Sequence, residues 1–286
     1  MFHIRRGLAL ASPGFLSILV LGFIPLSVIV VWSFWTWDPS SYWIKPDLSL
    51  DAYAAIGDAG RWKVLVWSFG KALLASFICL LFAYPAALAI HFVAGPKWAF
   101  VLMAAFTVPF FTSYLIRAFS WRLVLGRTGL INTWLINLGI VDEPLDWLLF
   151  SDFAVILGLV ASYLPFAMFP LLLVLRRVEP SFLAASQDLG AGFMRTLFSV
   201  ILPLTKPGIF AGFLFVFVSA VGSSTEVQML GGAGASMISI MINDVMRVVN
   251  FPLAFAISSV VLVALFSLVI VGNAVFGLTK LFEDFK

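Results

Sequence analysis

Charge is what this 286-residue sequence has least of. Asp, Glu, Lys and Arg together make up 11% of it, against about 25% in a soluble domain. With 62% hydrophobic residues and a mean hydropathy of +1.09, that scarcity excludes a soluble globular domain. It also excludes disorder, which needs low hydrophobicity and high net charge. A single cysteine, Cys79, excludes an internal disulfide framework. The two histidines, His3 and His91, stand near the ends of apolar runs and read as interfacial residues rather than metal ligands. No Lys/Arg cluster is long enough to track phosphates, so no nucleic-acid partner is expected. No GxxxxGK[ST] pattern occurs, so the chain has no loop to cradle ATP, and energy must come from another subunit or an ion gradient. HExxH and GxSxG are absent as well, which leaves no visible protease or hydrolase site. The chain is therefore expected not to be an enzyme.

Long apolar runs are what the sequence does have. Crossing a bilayer takes about 20 mostly apolar residues. Six stretches qualify, at roughly 10–35, 66–92, 98–117, 153–175, 208–226 and 253–278. They predict an all-α membrane protein with six transmembrane helices and a single multi-pass domain over 1–286. Lys71, near the outer end of the second span, is expected to snorkel to the interface. Arg5 and Arg6 precede an apolar run far longer than a signal peptide needs, so the first span is expected to stay uncleaved.

Orientation follows from the basic residues, above all Arg176-Arg177 directly at a span end. Both termini are then cytoplasmic. The inner side carries nine basic and four acidic residues, a sum of +5, and the outer side eight and ten, a sum of −2. Residues 36–64 lie outside and hold the turn-rich Asp38-Pro39-Ser40-Ser41. Residues 118–152 lie outside with a short interfacial helix marked by Leu130, Ile131, Trp134, Leu135 and Leu138. Residues 179–207 lie inside.

That inner loop has its own punctuation. Pro180 suits a helix first turn, and Gly190 suits the left-handed position just past a helix end. Between them Phe182, Ala185, Ser186 and Leu189 share one face. A second short helix is expected from about Gly192 to Ile201, ended by Pro203, with Pro207 restarting the chain into the fifth span. Helices this short are marginal alone. They pack either on the protein's own span ends or, as a lever, in a partner's groove.

The run Leu183-Ala184-Ala185-Ser186-Gln187-Asp188-Leu189-Gly190-Ala191, followed by Leu202-Pro203-Leu204 and Pro207-Gly208, resembles the EAA loop of ABC importer permeases. The six-span layout is similar too. Val108-Pro109-Phe110-Phe111-Thr112-Ser113-Tyr114-Leu115-Ile116-Arg117, Gly129-Leu130-Ile131-Asn132 and Leu230-Gly231-Gly232-Ala233 look like the spermidine/putrescine-type permeases. The likeness spans roughly residues 65–275. It implies a type I importer architecture in a bacterial inner membrane. It also implies a coupling helix seated in a cleft of an ATPase through Phe182, Leu183, Ala184, Ala185, Asp188, Leu189, Gly190 and Ala191. The implied partners are two ATPase subunits, a second and different permease chain, and an external solute-binding protein. ATP and Mg would be bound by the ATPase and no cofactor by this chain. Ala184 stands where the family usually has Glu, which shifts the expected docking toward apolar packing and Asp188.

Ionisable residues at membrane depth are functional candidates. Glu226 follows Gly222-Ser223-Ser224-Thr225, with Gln228 two residues on. Polar groups there are expected to line a wet cavity rather than face lipid. Thr225, Glu226, Gln228, Tyr114 and Trp121 are the candidate solute-path residues. Polyamine permeases of this kind carry Asp about where Gln228 stands. Arg117, Arg122 and Trp121 read either as an outer gate or as an interfacial belt. Asp244 and Arg247 have the spacing of a helical ion pair. Prolines 25, 85, 109, 165 and 170 can kink spans. Gly208 and Gly212 form a GxxxG contact that is either internal or between subunits. The expected function is the permease of a binding-protein-dependent ABC importer for a small cation such as a polyamine. The alternatives are an ABC importer for phosphonate, opine, ferric iron or thiamine, and a gradient-driven carrier or channel.

Overall fold

A computed structural model describes residues 13–277 except 15, 59, 233 and 234. Arg5, Arg6, His3, the first residues of the 10–35 stretch, Ala233, and residue 278 with Lys280 and Lys286 lie outside the described residues. The chain divides into two compact units, residues 1–63 with 241–265, and residues 64–240 with 266–286.

The first unit holds α1 (Ile24–Trp32), the strands β1 (Thr36–Asp38) and β2 (Trp43–Lys45), and α2 (Asp51–Gly57). The strands pair antiparallel with Trp37 opposite Ile44. This hairpin is the exception to the all-helical expectation among the described residues. Asp38 makes its turn. The Asp38 carboxylate accepts bonds from the Ser40 amide and the Ser40 and Ser41 hydroxyls and pairs with Lys45 at 2.9 Å. Lys45 first, and then the two serines, hold its carboxyl well below the usual carboxylate range. The hairpin pairing is therefore complete at neutral pH and is lost only under strong acid. Aromatic rings fill the remainder of the unit: Trp32 stacks on Trp35 at 5.4 Å and Phe251 on Phe255 at 6.1 Å.

The second unit carries most of the membrane helices. α3 (Arg61–Leu88) starts at the boundary and continues through a widened turn to Val93. α4 (Pro96–Thr107) runs into a tight turn, Val108–Phe111. α5 (Tyr114–Leu125) and α6 (Leu130–Asn137) follow, then α7 (Asp152–Leu175) and α8 (Pro180–Asp188). α9 (Phe193–Thr196) passes through a widened turn, Leu197–Ile201, into α10 (Leu202–Gly222). α11 (Thr225–Leu230) comes next. α12 (Ile238–Arg247) and α13 (Phe251–Phe276) complete the chain order.

Among the described residues, four helices are long and apolar enough to cross a membrane: Arg61–Val93, Asp152–Leu175, Phe193–Gly222 and Phe251–Phe276. A fifth span is counted if Pro96–Phe111 and Tyr114–Asn137, bent by 99°, are one crossing. Leu16–Trp32, in the first expected span, is a shorter apolar helix. The 98–117 stretch is thus not a straight rod. Thr112 and Ser113 adopt extended backbone, with ψ of 138° and 133°, and Pro109 cannot supply a helical N–H.

Pro203 behaves differently from expectation. It does not end the second short helix, because α9 and α10 join without a break. The turn Leu197–Ile201 just before it is π-helical, and the same device, Leu19–Phe23, precedes Pro25. Widening the turn to an i→i−5 register removes the conflict between the proline ring and the carbonyl four residues back.

Small residues set the helix contacts of this unit. Cys79, Ala83 and Ala87 of α3 meet Ala167, Met168 and Leu171 of α7 in one buried cluster with Val216 of α10. Lipid is as apolar as leucine, so close packing rather than water exclusion drives such contacts. The GxxxG contact is internal. A methyl group on Gly208 would lie 2.6 Å from Val174 Cγ2, and one on Gly212 would lie 3.1 Å from the Ala167 carbonyl oxygen.

Lys71 does not snorkel. Its side chain is buried and pairs with Asp152 at 2.5 Å. Asp152→Asn leaves that ammonium uncompensated. It is expected to cost about 2 kcal/mol, below the 3–5 kcal/mol of a fully buried pair because Asp152 is half exposed. Thermal unfolding of the detergent-purified protein measures this, and Lys71→Met on the Asn background is expected to recover most of the loss. Asp244 and Arg247 do approach, at 3.8 Å, but both are exposed, so the pair is worth only a few tenths of a kcal/mol, roughly 0.3.

Candidate functional site

The glycine–serine run after α10 ends that helix and starts a new one. α10 stops at Gly222, and Ser223 turns extended with ψ 124°. α11 begins at Thr225, which puts Glu226 in its first turn. Gly158 of α7 makes room for this short helix, since a methyl group there would lie 2.4 Å from Leu230 and 3.7 Å from Glu226 Cβ. Glu226 is 3% exposed. The Ser223 hydroxyl donates to its carboxylate, and the Ser239 hydroxyl donates to the Ser223 carbonyl at 2.5 Å.

Gly222, Ser223, Ser224, Thr225 and Glu226 form one wall of a cavity of about 560 Å³. The bend between α4 and α5 forms the other, through residues 110–114 and Arg117, and Tyr163 and Phe166 of α7 close it. The expectation that these polar groups line a cavity rather than face lipid agrees with this geometry. The bend is itself pinned by Arg117, whose guanidinium donates to the Pro109 carbonyl at 2.9 Å. Phe110 packs edge-on to Phe166 at 5.1 Å. The cavity thus combines aromatic rings and hydroxyls with one carboxylate and one guanidinium. Rings and a buried carboxylate together suit an organic ammonium group.

Of the sequence candidates, Tyr114, Thr225 and Glu226 line this cavity. Gln228 does not. It is two residues from Glu226, about 200° around the helix, and is exposed. Trp121 is not in the lining either. It lies further along α5 and packs beside Leu125, Ala154 and Leu230. Arg122 stacks over Phe150, 5.4 Å from the ring centre. Nothing in the sequence marks Tyr163 and Phe166 as lining groups, whereas Ser223 belongs to the polar run expected there. The first two sit in an apolar span whose pattern shows no cavity face.

A second feature lies in α8 and α9. Gly190 has φ +74°, the left-handed value its place predicted. The Ala191 amide bonds the Ser186 carbonyl at 3.0 Å and the Gly190 amide the Gln187 carbonyl at 2.8 Å, a Schellman closure. Ser186 and Thr196 hydroxyls bond at 2.8 Å and lock the two helices together. One side of this elbow packs inward, with Leu183 and Leu197 against the core cluster that includes Ile201. The other side is open. Phe182, Ala185, Leu189 and Ala191 line a groove of about 400 Å³ with Arg195 and Val200. Leu189 is 86% exposed. Ala184 and Asp188 are exposed but outside the groove.

Buried Asn132 ties the 126–145 loop. Its amide donates to the Gly126 carbonyl at 3.0 Å and accepts from the Leu145 amide at 2.8 Å. Gly129 is required there, because a methyl group would lie 2.4 Å from the Leu123 carbonyl oxygen. Among the described residues no group of His, Cys, Asp and Glu could hold a metal ion.

Comparison with known proteins adds four observations. The chain is 36% identical over 228 residues to the spermidine/putrescine transport system permease protein PotB of Salmonella typhimurium (strain SL1344), covering 79% of this chain and 76% of that one. It is 34% identical to the protein of the same name from Haemophilus influenzae (strain ATCC 51907 / DSM 11121 / KW20 / Rd), covering 82% of each. Its fold superposes with a TM-score of 0.70 on a chain of a bacterial ABC transporter involved in the import of the acidic polysaccharide alginate, at 18% identity and 96% coverage of both chains. Residues 65–280 match the family described as binding-protein-dependent transport system inner membrane component. The bend, the break between α10 and α11 and the glycine-cornered elbow all fall within that stretch, and the chain is a member of that family, an ABC importer permease.

Proposed function

We propose that the chain forms half of the transmembrane path of a heteromeric importer for a polyamine, and that Glu226 is the group that meets the solute's ammonium. The observation that carries this reading is a carboxylate 3% exposed in a cavity lined by five aromatic side chains. Each ring face adds about 0.5–2 kcal/mol toward a desolvated ammonium. The names of the PotB relatives point to the same solute class.

In this reading both termini are cytoplasmic, so the elbow of α8 and α9 meets an ATPase while the Asp38 hairpin faces outward. An external binding protein delivers solute to the outer loops. Two ATPase subunits bind ATP and Mg²⁺, and a second, related but different permease chain completes the path. The open groove at Phe182, Ala185, Leu189 and Ala191 supplies the apolar contact, and Ala184 beside it offers no charge. Closure of the ATPase pair moves the elbow and switches the cavity between the two sides.

Glu226→Gln tests the solute assignment. Losing a charge-assisted contact of about 2–3 kcal/mol should lower kcat/KM for putrescine uptake by roughly 30–160-fold. The assay uses the assembled complex in proteoliposomes, with complex yield as control. Undiminished putrescine uptake by a correctly assembled variant would remove Glu226 from the path.

A further inference from the structure

The cavity holds a second charge that import of a cation does not explain. Arg117 lines the same space as Glu226. One guanidinium nitrogen donates to the Pro109 carbonyl, but its Nε is buried with no hydrogen-bond partner. The Tyr163 hydroxyl lies within electrostatic reach of both Arg117 and Glu226, and it is hydrogen-bonded to the Ser223 side chain. Ser223 in turn donates to Glu226. Arg117, Tyr163, Ser223 and Glu226 thus form one polar line across the cavity.

A carboxylate this buried is costly without a compensating charge. One serine hydroxyl does not supply that charge. We propose that Arg117 is the resident counter-cation of Glu226, and that the entering solute ammonium takes its place. The proposal rests on the polyamine reading above and adds to it a selectivity device. A tethered cation competes at an effective concentration of millimolar or more. Na⁺ and K⁺ pair only weakly with a single carboxylate and gain little from the rings, so they do not displace it. An organic ammonium gains the carboxylate and the faces of Tyr163, Phe166 and Phe110 together. Arg117 therefore keeps inorganic cations out of a site built to attract positive charge.

Two measurements test this on the full complex in proteoliposomes. The first is putrescine uptake with Arg117→Gln. The KM is expected to fall by about tenfold, and K⁺ at physiological concentration becomes an inhibitor, which it is not for the wild type. Arg117→Lys is expected to restore insensitivity to K⁺. An unchanged or raised KM together with unchanged K⁺ insensitivity overturns the proposal.

The second measurement is a thermal-unfolding cycle that needs no transported solute. Glu226→Gln and Arg117→Gln each lower the melting temperature, and the double variant is expected to melt above the sum of the two losses by about 3 °C. Strict additivity overturns the counter-cation role even if Glu226→Gln abolishes uptake. A wild type that does not carry putrescine, with the cycle still non-additive, overturns the polyamine reading and leaves the pairing standing.

Discussion

Gly208→Val is expected to prevent the second unit from packing. α10 crosses α7 where Gly208 has no side chain to spare. Even a single methyl group would sit 2.6 Å from Val174 Cγ2 and 2.9 Å from the Pro170 carbonyl oxygen. The valine methyl can rotate, but the carbonyl oxygen belongs to the backbone of α7 and cannot. Overpacking of a core costs about 1–3 kcal/mol when side chains can give. Here the backbone must move, so the cost is about 3 kcal/mol or more, a large share of a typical domain's stability. Yield and melting temperature of the purified permease measure it. Gly70→Ala on α3 is the matched control, because nothing lies within 4 Å of a methyl group there. Val174→Ala on the Gly208→Ala background should recover only part of the loss, since the Pro170 oxygen remains. Normal yield and melting of Gly208→Val would mean that α7 and α10 do not meet at this glycine.

Gly190→Val is expected to uncouple transport rather than unfold the protein. No atom lies within 4 Å of a methyl group at Gly190, so crowding is not the issue. The backbone is, because φ is +74°, a region that costs an L-residue roughly 1–2 kcal/mol and a β-branched one more. The local closure at Gln187 and Ser186 then opens, and the Ser186–Thr196 bond that sets the elbow angle goes with it. Solute-stimulated ATP hydrolysis by the assembled complex should fall about tenfold or more for a 1.4 kcal/mol shift in the elbow, with the permease still folded. Gly190→Asn is expected to be mild, since Asn tolerates the left-handed region. Full coupling in the valine variant would remove the elbow from the coupling path.

Much of the fold was legible because lipid imposes a simple rule. Unpaired backbone groups are intolerable there, so a long apolar run must be a helix. The stretches 66–92, 153–175 and 253–278 accordingly match observed helices to within a few residues. Gly190 was legible for an equally local reason, since a helix end that needs positive φ selects glycine. The break at Thr112-Ser113 was not legible. Pro109 lies inside the 98–117 run much as Pro165 lies inside α7, yet one chain bends by 99° and the other continues as helix. The difference lies in what surrounds each proline, which no window of sequence contains. Pro203 misled in the opposite direction, because a π-turn absorbed it.

The site divides along the same line. Composition and spacing pointed to Glu226, Thr225 and Tyr114, because a carboxylate and hydroxyls at membrane depth need a polar surrounding. Gln228 shared that local signal, but helical rotation turned it away from the cavity. Trp121 lies past the cavity end, in a small apolar cluster. Tyr163 and Phe166 gave no signal, since their role comes from facing the bend of α4 and α5 across the cavity.

By itself the sequence determined that the chain is a membrane protein, where most of its long helices run, and which short loop carries the glycine corner. These follow from the cost of charge and bare backbone in lipid, which each residue carries with it. Tertiary structure alone decided that Gly208 and Gly212 face α7, that Lys71 pairs with Asp152 instead of reaching water, and that Arg117 and Glu226 share one cavity. Those facts depend on distances between segments far apart in the chain. Such distances are set by how small residues let helices approach, and the bilayer places no local constraint on them.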